Sequence, residues 1–107
     1  MKMYTNRDQT AKLIELGFEK PMNSVECELP KGDWRIGAVG IRKAYSVGEL
    51  LSFLPEFVNW TPRVIRGNVI EYSFETEGSE LYYRNAHNEL IDNLYDMILQ
   101  LKEEGVI

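Results

Sequence analysis

Few side chains in this sequence are of a type that carries chemistry unaided. Cys27 and His87 are each the sole member of their type, and a thiol beside an imidazole is the minimum for nucleophilic catalysis. Cys27, however, alternates with Val25 and Leu29 on the buried side of an expected strand, where a thiol behaves as a small apolar group. His87 falls near the start of the last expected helix and reads as a surface or capping residue. Two such ligands, with no further Cys or His, do not complete a tetrahedral zinc site. Glu89, Asp92 and Asp96 offer hard oxygens for a divalent cation, but their i, i+3, i+7 spacing sets them along one solvent stripe and lacks the EF-hand pattern. Gly37-Ala38-Val39-Gly40 is not followed by Lys-Ser or Lys-Thr and makes no phosphate loop. No catalytic residue, metal or cofactor is expected, and the chain reads as a non-enzyme.

The remaining constellation is one of binding. Trp34, Tyr45 and Trp60 are interleaved with Arg35, Arg42, Lys43, Arg63 and Arg66, a grouping able to stack bases and hold phosphates of single-stranded nucleic acid. Trp34, Trp60, Arg63 and Arg66 are its candidate contact residues. The charge opposes that reading: 12 Lys and Arg stand against 17 Asp and Glu, a net charge of -5, and the pI is near 4.9. The imbalance is also uneven. Residues 1–66 carry 10 basic and 8 acidic side chains, residues 67–107 carry 2 and 9. Such an acidic end discourages nonspecific adhesion to nucleic acid and steers basic partners, so mimicry of DNA toward a DNA-binding protein is the other form of a nucleic-acid-linked role. A hydrolase using dispersed carboxylates would need a cleft to shift their pKa values, and the sequence shows none. A protein partner, a second copy of the chain included, is favoured over nucleic acid, and no membrane association is expected.

These residues must be positioned by a small scaffold. With 107 residues, 44% hydrophobic and 27% charged, the chain has globular composition and the length of one domain spanning residues 1–107. A single Cys excludes an intramolecular disulfide, no apolar run resembles a signal peptide, and none approaches the about 20 residues of a membrane span. A cytoplasmic location is the expectation.

The first helix is expected over residues 5–16, opened by Thr5 with Asp8 three residues on and closed by Gly17; Met3 or Tyr4 would pack over its first turn. Val25, Cys27 and Leu29 alternate with Glu26 and Glu28 as a strand. Pro30-Lys31-Gly32-Asp33 is turn chemistry, and Trp34, Ile36 and Ala38 alternate as the returning strand, although Gly37 and Gly40 would weaken it. Ser46 with Glu49 is a capping box, and Val47, Leu50, Leu51 and Leu54 share one helical face before Pro55. A loop is expected around Asn59, Trp60 and Pro62, then an extended stretch over 63–66 and a tight turn at Gly67-Asn68. Residues 69–76 form the best strand, with Ile70, Tyr72 and Phe74 on the core face, and 81–84 return beside it across a turn at Glu77-Gly78-Ser79. The last helix covers 86–104, capped by Asn85 or Asn88 and ended by Gly105. Leu90, Leu94, Met97, Ile98 and Leu101 form its apolar face, opposite Asp92, Asp96 and Glu103 in solvent. The fold class is therefore α+β: an antiparallel sheet of about three to five strands against two or three helices, with a long C-terminal helix.

The run Ala44-Tyr45-Ser46-Val47-Gly48-Glu49-Leu50-Leu51-Ser52-Phe53-Leu54-Pro55 resembles a segment of small proteins of bacterial prophages and integrated mobile elements. In those proteins a short helix ending in Leu-Gly, as Leu16-Gly17 does here, precedes an aromatic-Ser capped helix ending in Leu-Pro. Two strands and a long helix follow. The resemblance implies an accessory, non-catalytic role and brings no catalytic residue with it. The basic, glycine-containing stretch 31–43 departs from the pattern.

Overall fold

Local hydrogen bonds supplied by the sequence fix where the helices begin and end. Asn6 Oδ1 accepts from Gln9 N at 2.8 Å and Gln9 Oε1 accepts from Asn6 N at 3.0 Å, a complete capping box that starts α1 (Arg7–Glu15). The sequence reading puts this cap one residue earlier, at Thr5. Thr5 is fully buried and committed elsewhere. Its amide donates to Tyr45 O and its Oγ1 accepts from Tyr45 N, each at 3.0 Å, while its carbonyl accepts from Arg42 Nη2 at 2.9 Å. The N-terminal chain is thereby stitched to the segment leading into α2 (Val47–Phe53), and Tyr4 bridges Ser46. Met3 is exposed and does not pack over α1. The second capping box, Ser46 with Glu49, stands where the sequence places it.

The computed structural model describes residues 2–28, 39–73, 82–86 and 88–107. The readings that fall on Trp34, Phe74, His87 and the turns at Pro30 and Glu77 lie outside the described residues, as does the side chain of Cys27. β1 (Asn23–Glu28) pairs antiparallel with β2 (Val39–Ala44), from Asn23 opposite Ala44 to Glu28 opposite Val39. Gly40 lies within this returning strand, opposite Cys27. The described returning strand thus lies C-terminal to the expected 34–38, which fall outside the described residues, and it ends beside Tyr45, whose backbone bonds Thr5.

β3 (Phe57–Val58), β4 (Thr61–Arg66), β5 (Val69–Ser73) and β6 (Tyr82–Asn85) form a four-stranded antiparallel sheet in sequential order. Ile70 and Tyr72 alternate onto its core face and are fully buried, as expected. Against that face lies α3 (Leu90–Glu103), which also packs on α2. Ile91, Leu94, Met97, Ile98 and Leu101 are buried with Leu13, Tyr45, Leu50, Leu54 and Val58 in one cluster. The architecture is the expected α+β, with the strands divided between two sheets.

The last helix differs from its reading in two respects. It begins at Leu90, and neither Asn85 nor Asn88 caps it; its N-cap is Glu89, whose side chain makes no capping bond. Hydrogen bonding around the first turn falls to Asn93, almost fully buried: its Oδ1 accepts from Asn88 N at 3.2 Å, and its Nδ2 donates to Asn88 O at 2.9 Å and Asn68 O at 2.6 Å. Both ends of this side-chain amide are satisfied, which licenses its burial. At the other end, Gly105 takes φ 75°, with Gly105 N on Lys102 O and Val106 N on Leu101 O, a full Schellman close.

Leu94→Ala should lower unfolding free energy by about 2–5 kcal/mol through the cavity it leaves. Asn93→Ala, which removes three hydrogen bonds to the backbone of residues 68 and 88, should cost about 1–3 kcal/mol. Chemical denaturation midpoints check both; near-wild-type midpoints would contradict the core assignment.

Candidate functional site

Asn59 and Trp60 link β3 to β4 as a two-residue turn, with φ values of 46° and 71°. Positive φ at both central positions is the type I′ hairpin pattern, which matches strand twist and is served best by Asn-Gly. Asn tolerates the left-handed region because its side chain is short and polar, whereas a bulky aromatic residue there is uncommon and strained. Trp60 is also 95% exposed, so burial of its indole does not offset the strain. The next residue adds a second local cost: Thr61 is fully buried, and its hydroxyl has no hydrogen-bond partner among the described residues. Phe57 is 60% exposed and pairs in register with the exposed Pro62, so both side chains stand on the outward face of the hairpin. The tip is an apolar, aromatic projection with Glu56 beside it.

The sequence reading makes this hairpin a loop, since β3 is only two residues long and no pattern of period 2 shows in so short a strand. The turn-favouring Asn59 is the available signal. Of the expected contact residues, Trp60 and Arg66 are exposed and Trp34 lies outside the described residues. Arg63 serves the fold instead. Its Nη1 donates to Leu51 O at 3.1 Å and Leu54 O at 3.3 Å, capping the carbonyl end of α2. Burial raises the pKa of Tyr72, and the neighbouring Arg63 charge opposes that rise. Arg42 is occupied by Thr5 O, and Lys43 by Met22 O and Ser24 Oγ. Basic residues that look grouped in sequence are thus largely engaged in holding the fold together.

The acidic side chains of α3 are not a plain solvent stripe either. Asp92 and Asp96 are half-buried. Asp92 Oδ1 accepts from Lys2 Nζ at 2.6 Å and from Gln9 Nε2 at 2.8 Å, and both oxygens of Glu89 accept from Lys2 N at 3.1 Å. Periodicity alone assigns these carboxylates to water because it carries no knowledge of the N-terminal segment that crosses over them. Burial pushes Asp92 up, but the hydrogen bonds from Lys2 and Gln9 and the Lys2 charge outweigh it and hold the carboxyl below its ordinary 3.8. Asp96 is shifted the opposite way by burial and by the neighbouring Asp92 charge. Among the described residues, no three His, Cys, Asp or Glu side chains gather to hold a metal ion, and no helix is long and apolar enough to cross a membrane.

No protein-family model matches the chain, and no curated protein or solved structure matches it. Within the fold the Asn59-Trp60 hairpin stands apart: a strained backbone at Trp60 adjoins an unbonded buried hydroxyl at Thr61, and the indole adds no burial to the fold.

Trp60→Gly should raise stability by about 0.5–1 kcal/mol, because relief of the left-handed strain exceeds the extra chain entropy lost by glycine. Thermal and urea unfolding test this; a loss of stability would show that the indole is structural. The two aspartates give opposite pH responses. The contribution of Asp92 is complete above its unfolded-state pKa and is lost as pH falls through its lower native value. That of Asp96 declines as pH rises from the unfolded value through its raised native one. Asp92→Asn should thus reduce the loss of stability on acidification below about pH 4, and Asp96→Asn should remove a loss that sets in as pH rises above about 4, as read from urea midpoints on both sides of that value.

Proposed function

We propose that the chain is a non-catalytic interaction protein that contacts a protein partner through the Trp60 hairpin. The observation that carries this reading is the indole itself, 95% exposed at φ 71°. Backbone strain that packing does not offset concentrates at binding and active sites, where the arrangement serves a contact rather than the fold. Tryptophan is among the residue types most enriched at the energetic centres of protein interfaces, since it brings large, rigid contact area at low entropic cost. Phe57 and Pro62, opposite each other and exposed, add apolar surface next to the tip. The resemblance of the two early helices to those of small prophage and mobile-element proteins supports placing the chain among their accessory proteins.

The test is capture of partners from a bacterial lysate by the tagged chain, at two salt concentrations and with and without nuclease. The wild-type chain should retain a partner that survives nuclease, and Trp60→Ala should lose at least about 10-fold of it while keeping wild-type circular dichroism. Retention that vanishes with nuclease would instead favour nucleic acid held by charge.

A further inference from the structure

The two costs at the hairpin are not independent of each other. β3 is the edge strand of its sheet and pairs with two residues of β4, Thr61 and Pro62, of which Pro62 has no amide hydrogen to donate. What holds the hairpin closed is therefore small: these two pairs, the bond from Arg63 N to Glu56 O at 2.8 Å just beyond them, and the burial of Val58. Against closure stand the left-handed backbone of Trp60, at φ 71°, and the buried hydroxyl of Thr61, which has no hydrogen-bond partner among the described residues.

A single movement removes both costs. When φ of Trp60 returns to the negative range the type I′ turn is lost, Val58 parts from Thr61, and the Thr61 hydroxyl meets water. The indole, already 95% exposed, gives up no burial in the exchange. The movement also has a natural boundary. Arg63 stays opposite Tyr72 on β5, with its guanidinium on Leu51 O and Leu54 O, and the rest of β4 keeps its register with β5. We propose that residues 56–61 form a clasp, a two-state element that opens and closes while the rest of the domain stays folded. Closed, it presents Trp60 at the end of an ordered hairpin; open, it is a loop in which the tip is dispersed. Strain of this kind is stored at switch segments, where it keeps two states close in free energy. The inference rests on the reading of the hairpin as a contact surface and adds its regulation: Thr61, buried behind the tip, sets how often the tip is displayed, and a partner that prefers the closed form draws the clasp shut.

Amide hydrogen exchange of the full chain tests the clasp, with Arg63 N as the reporter, since its bond to Glu56 O lasts only while the clasp is closed. In the wild-type chain this amide should exchange at least about 100-fold faster than those of Leu94 and Ile98 in α3, and its rate should stay flat in low urea while theirs rise. Thr61→Val, which replaces the unbonded hydroxyl by a methyl group of similar size, should slow it by at least about 5-fold. Trp60→Gly should slow it by about 2- to 5-fold. Neither variant alters Pro62 or Arg63, the residues that set the intrinsic rate of this amide. Should Thr61→Val not fold, Trp60→Gly, at an exposed position, carries the test. An Arg63 amide that exchanges as slowly as α3 and with the same urea dependence would overturn the proposal, as would a rate that both variants leave unchanged or raise. Lysate capture by Trp60→Ala separates the two readings. Undiminished capture beside a working clasp overturns the contact surface alone, and lost capture beside an Arg63 amide that exchanges with α3 overturns the clasp alone.

Discussion

Ile91, Leu94, Met97, Ile98 and Leu101 project from one helix, and their removal from water is the contact that α1, α2, β3, β5 and β6 serve. Each such side chain contributes about 1.5–3 kcal/mol when fully buried, and a domain of this size has few other places to gain as much. The sheet offers Ile70 and Tyr72 to that face, α2 offers Leu50, and α1 offers Leu13. Where α3 meets its neighbours with polar groups, the groups are paired: Asn93 with the backbone of residues 68 and 88, Asp92 with Lys2 and Gln9. The helix is thus gripped on its apolar face by packing and on its flank by directed hydrogen bonds, which is why its acidic side is partly enclosed.

Elements whose pattern is local were legible in the sequence. The Ser46-Glu49 box needs four residues, the alternation of Ile70 and Tyr72 needs a few more, and the stops at Gly17 and Gly105 depend on glycine's access to positive φ. What escaped the sequence is what long-range contact decides. Thr5 and Asn6 are both good caps, and Thr5 is withdrawn from the role because Tyr45, forty positions away, claims its hydroxyl. Asn93 reads as a polar interruption of an apolar face until the turn at Asn68 is brought beside it. The candidate contact residues divide on the same ground: no pattern separates Trp60, left in solvent, from Arg63, three residues later, which is held at the end of α2.

The hairpin tip reverses the rule that holds in the rest of the molecule. Elsewhere strained or polar groups are compensated within a few ångströms, whereas the strain at Trp60 and the orphaned hydroxyl of Thr61 lie side by side with nothing to offset them among the described residues. Small domains are only marginally stable, so such a pair at one turn marks the place where a requirement other than folding shapes the chain.

Both capping boxes contain a residue with a second allegiance. Gln9 closes the first turn of α1 and donates to Asp92 of α3; Glu49 closes the first turn of α2 and accepts from Met22 N and the side chain of Asn23 at the head of β1. A cap that is also a tertiary tie makes helix initiation conditional on assembly. The first turns of α1 and α2 are consequently not autonomous units that fray and reform alone. Their amide protons would exchange with solvent in step with the elements they are tied to, joining the ends of both helices to the most cooperative part of the domain.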